Sequence, residues 1–296
     1  MTNHEWTDDE LQALEKRIKA EYQKAYNETY KEMLVVIQRL QDSDGKLSER
    51  KRLALLSQQK RLDSLCKQMA NSISTAGKTA QSLIQSSVAK VYVHSYNVFA
   101  EALNFSLITG QDAIAILAEE ITPFDKLALE ALQDATVIKR RMTSEMVTSL
   151  LRGESIPKIA KRLQRATEGN LVNAVRVART EVTRVESAAA QDVGQHGEEI
   201  GFDMGKRWFA TKDKRTRPSH KAADRAEVRM DDLFEIDSPD GPDLMAYPGD
   251  VSHGAGADNV CNCRCRIVPF IIGIKSTETT VKPSDVALLN ADLSVK

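Results

Sequence analysis

The sequence predicts a mainly α protein, in which a long-helix N-terminal arm or bundle is followed by a small α+β C-terminal domain. Three observations predict it. Only Pro123 and Pro157 fall in the first 200 residues, whereas six prolines lie from Pro218 to Pro283. Through the first region apolar residues recur at every third or fourth position, the period of a helix with one buried face. From Lys206 the spacing changes to alternation, the period of a strand. These shifts divide the chain into an α-helical arm or bundle at 1–152, an α+β domain at 153–272 and a flexible tail at 273–296.

Taken in order, Thr7-Asp8-Asp9-Glu10 reads as a capping box, in which a hydroxyl and a carboxylate satisfy free amides at a helix start. The helix it opens carries Leu11, Leu14, Ile18, Tyr22, Ala25, Thr29, Met33, Val36 and Leu40 at steps of three, four and four, a nearly straight stripe. At 1.5 Å per residue it spans roughly 45 to 50 Å. Asp42-Ser43-Asp44-Gly45 is a turn, and Ser48 caps a second helix carrying Leu53, Leu56, Leu62, Leu65 and Met69. A third helix is predicted over about Thr79 to Leu107, stopping near Thr109-Gly110. His94, between Val91 and Val98 on its stripe, reads as a packed or interface histidine. Pro123 begins a helix running to about Leu151, which Gly153 and Pro157 break. Lys158 to Arg165 forms a short basic helix, and Asn170 caps the next. There Leu171, Val172, Val175, Ala178, Val182, Val185 and Ala189 make the buried stripe, and Arg176, Arg179, Thr180, Thr183 and Arg184 make a polar face able to meet acidic partners. The region from Asp237 to Asn259, rich in Gly, Pro, Ser and Asp, reads as a surface loop.

Composition narrows the functional classes. A chain of 296 residues is long enough for about two domains and needs no disulfides to fold. Its formal charge of −1 argues against a surface that wraps DNA along its whole extent, so any DNA contact is local. Three of its four cysteines fall between Cys261 and Cys265, unlike an extracellular disulfide framework, and the polar start is unlike a signal peptide. No run of 18 apolar residues predicts a membrane span. The expected compartment is a cytosol.

Lys206 to Thr211 alternates as a strand with Trp208 and Ala210 on one face. Asp213-Lys214 is a turn, and Pro218 keeps Arg217 extended. Cys263, Cys265 and Ile267 share one face of a second strand, with Arg264, Arg266 and Val268 on the other. Two strands so placed can pair. The ordered set Arg179-Thr180-Glu181, Arg207-Trp208, Asp213-Lys214-Arg215-Thr216-Arg217-Pro218-Ser219-His220 and Asn262-Cys263-Arg264-Cys265 resembles the phage Mu F-like head morphogenesis family over roughly 150 to 270. Cys261 adds a cysteine ahead of the usual pair.

The resemblance implies a minor head protein of a tailed phage or prophage, made in the bacterial cytoplasm and carried in the virion near the portal vertex. It implies association with the portal protein, and with scaffold or major capsid protein, in procapsid assembly and in packaging or ejection of DNA. The motif residues Arg179, Glu181, Trp208, Asp213, Arg215, Arg217, His220, Asn262, Cys263, Arg264 and Cys265 are then structural or interaction residues, and no catalytic set is expected. In such an adaptor the apolar stripe of the first helix would bind the partner.

Two clusters admit more than one chemistry. Cys263 and Cys265 can be small core residues, or a pair of the cysteines can join His220 in a zinc site, with a disulfide or a nucleophile as the remaining readings; Cys261, Cys263 and Cys265 on a straight strand spread the outer sulfurs roughly 13 Å, so all three can share one ion only if the chain bends. No other cofactor is expected. Lys206 to Arg229 holds nine Lys or Arg against three acidic residues. Its arginines can pair with carboxylates such as Glu181, or they can touch phosphate. The competing class is an enzyme, a metal-dependent nuclease or toxin-like transferase, although the chain leaves no room for a separate toxin module.

Overall fold

The computed structural model describes residues 2–38, 48–57, 59–109 and 123–275. Helices α1 (Asn3–Gln38), α2 (Glu49–Ser57), α3 (Gln59–Ala102), α4 (Pro123–Gln133), α5 (Ala135–Arg152) and α6 (Ile156–Glu199) precede β1 (Phe202–Phe209). There follow α7 (Pro218–Ala222), β2 (Glu227–Arg229), β3 (Phe234–Ile236), β4 (Asp243–Met245), α8 (Ala257–Val260) and β5 (Arg266–Ile274). The protein is thus mainly α, with a small strand-containing C-terminal region. Leu40, the turn at 42–45, the helix stop at Gly110 and the tail from Ser276 onward lie outside the described residues. Among the described residues no helix is long and apolar enough to cross a membrane.

Helix α1 starts one turn earlier than the spacing around Thr7 predicts. The same Thr-x-x-Glu pattern occurs at Thr2 to Glu5, where the Glu5 amide donates to Thr2 Oγ1 (3.3 Å) and the Thr2 amide to Glu5 Oε2 (2.8 Å). With that box closed, Thr7 lies inside the helix and its hydroxyl donates to the Asn3 carbonyl at 3.0 Å. The predicted stripe is real, but its role is different. Leu14, Ile18, Tyr22, Ala25, Thr29 and Met33 are all buried within the chain itself.

The second and third predicted helices are largely one, since α3 runs unbroken through Gly77. A Cβ there would lie 2.4 Å from the Leu132 carbonyl oxygen, so the glycine allows close approach of α4 and does not end the helix. The helix predicted from Pro123 is divided at Asp134, whose carboxylate accepts from the Thr136 and Val137 amides and starts α5. Gly153 ends α5 in the left-handed conformation, with φ of 63°. No boundary separates the basic segment at 158–165 from the next helix. Asn170 lies inside α6 and donates to the Leu132 carbonyl (3.4 Å), so it is not a cap.

The chain forms two compact units. One, from Glu15–Leu83 and Asp125–Val175, is entirely helical where described. Its core joins Leu65, Met69 and Ile73 of α3, Leu132 of α4, Met142 and Met146 of α5 and Ile159 of α6. The other comprises Met1–Leu14, Ile84–Phe124 and Arg176–Lys296.

In that second unit the start of α1 is tied to α3 and α6 by Asn3, which donates to Ser95 (3.2 Å) and Glu186 (3.4 Å). His94 stacks on Trp6 at 3.7 Å, the packed role its position predicts. The sheet runs β2-β1-β5, all antiparallel, with Trp208 opposite Ile267 and Phe209 opposite Arg266. The two strands predicted to pair do so. Beneath them α6 is buried on every side from Thr180 to Gln191, so the polar face predicted for it looks into the protein. Gly194 completes this packing, because a Cβ there would fall 1.9 Å from Met230 Cε.

The region from Asp237 to Asn259 is not the loop its composition predicts. It contains β4, which pairs with β3, and α8. Asp250, 3% exposed, holds the remainder by accepting from the Ala246 and Ser252 amides, the Ser252 hydroxyl and His253.

Candidate functional site

The motif segments meet in one place. Asp213 Oδ1 accepts from the Arg215 and Thr216 amides (2.8 and 3.1 Å), an Asx turn that fixes the chain leaving β1. The same carboxylate receives the Arg264 guanidinium as a fork at 2.6 and 2.8 Å. Arg264 holds Asp213 well below the usual carboxylate range, and the turn amides add to it. This pair joins the segment at 213–220 to the segment at 261–265. Two further ties reinforce it: Arg217 donates to the Cys261 carbonyl at 2.5 Å, and Thr211 donates to the Arg264 carbonyl.

The Arg-Thr-Glu segment of α6 is the third component. Thr180 Oγ1 accepts from the Asn262 amide (2.9 Å), and Asn262 sits at φ of 56°. Asparagine tolerates this left-handed turn, which swings the chain so that Cys263 enters the core. Arg184 pairs with Glu181 at 3.0 Å, both nearly buried. Of the two arginines predicted to pair with carboxylates, Arg215, which is exposed, meets Asp213 at 3.8 Å and Arg217 meets a backbone carbonyl, while Glu181 takes Arg184. Arg179, on the same helix, is half-buried. The geometric reason is that α7 starts at Pro218 and carries Arg217, held extended as its N-cap, toward the Cys261 turn.

At the centre lie His220, Cys263 and Cys265, at most 3% exposed. His220 Nδ1 is 3.3 Å from Cys265 Sγ and 3.5 Å from Cys263 Sγ. His220 Nε2 faces Asn259 Oδ1 at 3.2 Å, and Trp208 closes one side with its ring edge-on to the imidazole, 5.6 Å between centroids. Hydrogen bonding with Cys263, and then with His220, draws the Cys265 thiol down from its ordinary range. That bond and burial push Cys263 up. Cys261 is not in the group. It is half-exposed, and Arg176 donates to its sulfur at 3.1 Å.

The sequence-predicted residues His220, Cys263 and Cys265 are therefore brought together, and Cys261 is set apart from them. Asn259 was missed. A lone asparagine in a Gly- and Asp-rich stretch carries no periodic signal, and its partners Asp237, Asp243 and His220 are distant in sequence. The connectivity Cys265–His220–Asn259 matches that of thiol-nucleophile sites. Burial, however, denies the sulfur the access a reactive cysteine needs.

Lys206, counted in the basic segment from Lys206 to Arg229, lies in the interior. It is 0% exposed, its ammonium donates to Gln191 Oε1 (3.1 Å), and burial lowers its pKa from 10.5 to about 8. Between those values the unfolded chain binds the proton and the folded chain does not, so stability rises with pH there. Wild type is expected to gain on the order of 3 kcal/mol relative to Lys206→Met as pH goes from 8 to 10.5. Paired urea titrations across that range measure it, and parallel curves for the two proteins would refute it.

Residues 140–268 match the family model for Phage Mu protein F like protein. Among curated proteins, it is 23% identical over 223 residues to the minor head protein GP7 of Bacillus phage SPP1, covering 73% of this chain and 68% of that one. It is also 31% identical over 175 residues to the NAD(+)--arginine ADP-ribosyltransferase EFV of Enterococcus faecalis. That alignment covers 58% of this chain but spans only 34% of the Enterococcus protein. No solved structure matches the chain.

Proposed function

We propose that the chain is a minor head protein that associates with the portal in the procapsid, acts in head assembly and in packaging or delivery of the genome, and remains in the virion. The observation that carries this reading is the similarity to a phage minor head protein over 73% of the chain, extending well beyond the Mu F-like stretch. The site supports it through its form. Its motif side chains are largely engaged with one another, in a clasp that shapes a domain.

The exposed cations near the clasp, Lys214, Arg215 and Lys221, supply a local contact to DNA phosphate, weakened by salt. A second reading, transfer of ADP-ribose to arginine, is motivated by the name of the Enterococcus protein. This chain aligns with about one third of that protein, so the shared part can be a Mu F-like region without the transferase.

The test is to isolate the portal protein from cells assembling the phage, and to probe both portal complexes and finished particles for this chain. Its presence in both is expected. Absence from both, together with labelling of an arginine substrate by the purified chain and NAD, would replace the head reading with the enzyme.

A further inference from the structure

We propose that His220, Cys263 and Cys265 hold one zinc ion, which clips α7 to the chain entering β5. The donor atoms of the three side chains all lie within 4.8 Å of one another, although His220 is 45 residues from Cys265 in sequence. In a tetrahedral site with Zn–S near 2.3 Å and Zn–N near 2.05 Å, the nitrogen-to-sulfur edge is about 3.6 Å. The observed 3.3 and 3.5 Å fall within a few tenths of that edge.

The imidazole is also oriented for a metal. Asn259 Nδ2 donates to the Asp237 carbonyl (3.1 Å) and to Asp243 Oδ2 (2.8 Å), which turns Oδ1 toward His220. An oxygen at 3.2 Å from Nε2 accepts its proton. The proton on Nε2 leaves the Nδ1 lone pair directed at the two sulfurs. A ligating histidine characteristically donates its other ring nitrogen to an outer acceptor in this way.

Charge and softness complete the argument. Two thiolates neutralise a divalent ion, so the buried group is uncharged as a whole, whereas without an ion two thiols share one nitrogen acceptor. Sulfur and imidazole donors select zinc over magnesium or calcium. On loading, each thiol gives its proton to solvent and two S–Zn bonds and one N–Zn bond form. Three protein donors leave one tetrahedral position for a small ligand such as water. Cys261, engaged by Arg176, is not a donor.

The full-length chain, purified without chelator, is expected to carry one zinc per chain by elemental analysis. Cobalt(II) exchanged into it should give sulfur-to-metal charge-transfer absorption and the visible bands of a tetrahedral site. Cys265→Ser and His220→Ala should abolish both signals, and Cys261→Ser should keep them. Should those two variants not fold, Asn259→Ala tests the same site, with zinc affinity in chelator competition expected to fall about 10- to 100-fold. A folded wild-type chain with no more than trace zinc and no cobalt bands would overturn the proposal, and would mark the group as a thiol–imidazole pair. This outcome is independent of whether the chain is found in phage heads.

Discussion

Replacing Leu14 and Ile18 together by aspartate is expected to prevent folding, and not to detach a folded protein from a partner. Both side chains are 0% exposed, so each substitution puts a carboxylate into the buried interior. An unpaired buried charge costs several kcal/mol, and two such costs reach the whole stability of an ordinary domain, about 5 to 15 kcal/mol. Far-ultraviolet circular dichroism and gel filtration of the purified variant read the outcome. A folded variant melting with wild type would show that the stripe is open in solution, and would restore it as the docking surface that the sequence pattern predicts. Partner contacts made by α1 are otherwise left to outward residues such as Tyr30 and Val35, which are 43% and 52% exposed.

Trp208→Ala is expected to cost about 3 to 5 kcal/mol, the range for deleting a large aromatic from a core. Trp208 is fully buried on the central strand of its sheet, edge-on to His220 and to Phe234 at 5.6 and 5.2 Å. Losing it leaves a void under the histidine and the two cysteines, so the clasp loosens together with the sheet. Trp208→Phe should cost much less, because Nε1 is buried without a partner among the described residues. Urea unfolding followed by circular dichroism ranks the variants. Equal, small losses for both would mean that the ring does not support the sheet.

How much of this was legible follows from the range of each interaction. The helical stripes and the alternation around Trp208 and Ile267 are written in local spacing, so the class of fold and the β1–β5 pairing could be read directly. Helix boundaries were less legible. Thr2 to Glu5 and Thr7 to Glu10 offer the same capping chemistry, and only packing of Asn3 against Ser95 and Glu186 selects the earlier one. Asn170 looks like a cap in a local window, yet it owes its place, as Gly77 does, to the Leu132 carbonyl in another helix. The stretch before the cysteines was opaque for a further reason. Asp250 and Asn259 organise it through side-chain to backbone bonds, which have no period to detect.

The motif residues were legible as a set but not as contacts. Asp213 and Arg264 each look suited to an ion pair, and nothing in their spacing says that they pair with each other. What their pairing produces is a ring of chain, closed at its neck by Asp213 with Arg264, Arg217 with the Cys261 carbonyl, and His220 with the cysteines. Closing such a ring costs an entropy that grows only logarithmically with its contour, about 0.6 kcal/mol for each doubling. Exposed turns on that ring, such as the one at Gly241, can therefore lengthen or shorten at little thermodynamic expense, while the neck stays fixed. A loop inserted at such a turn would leave the knot that holds the ring undisturbed.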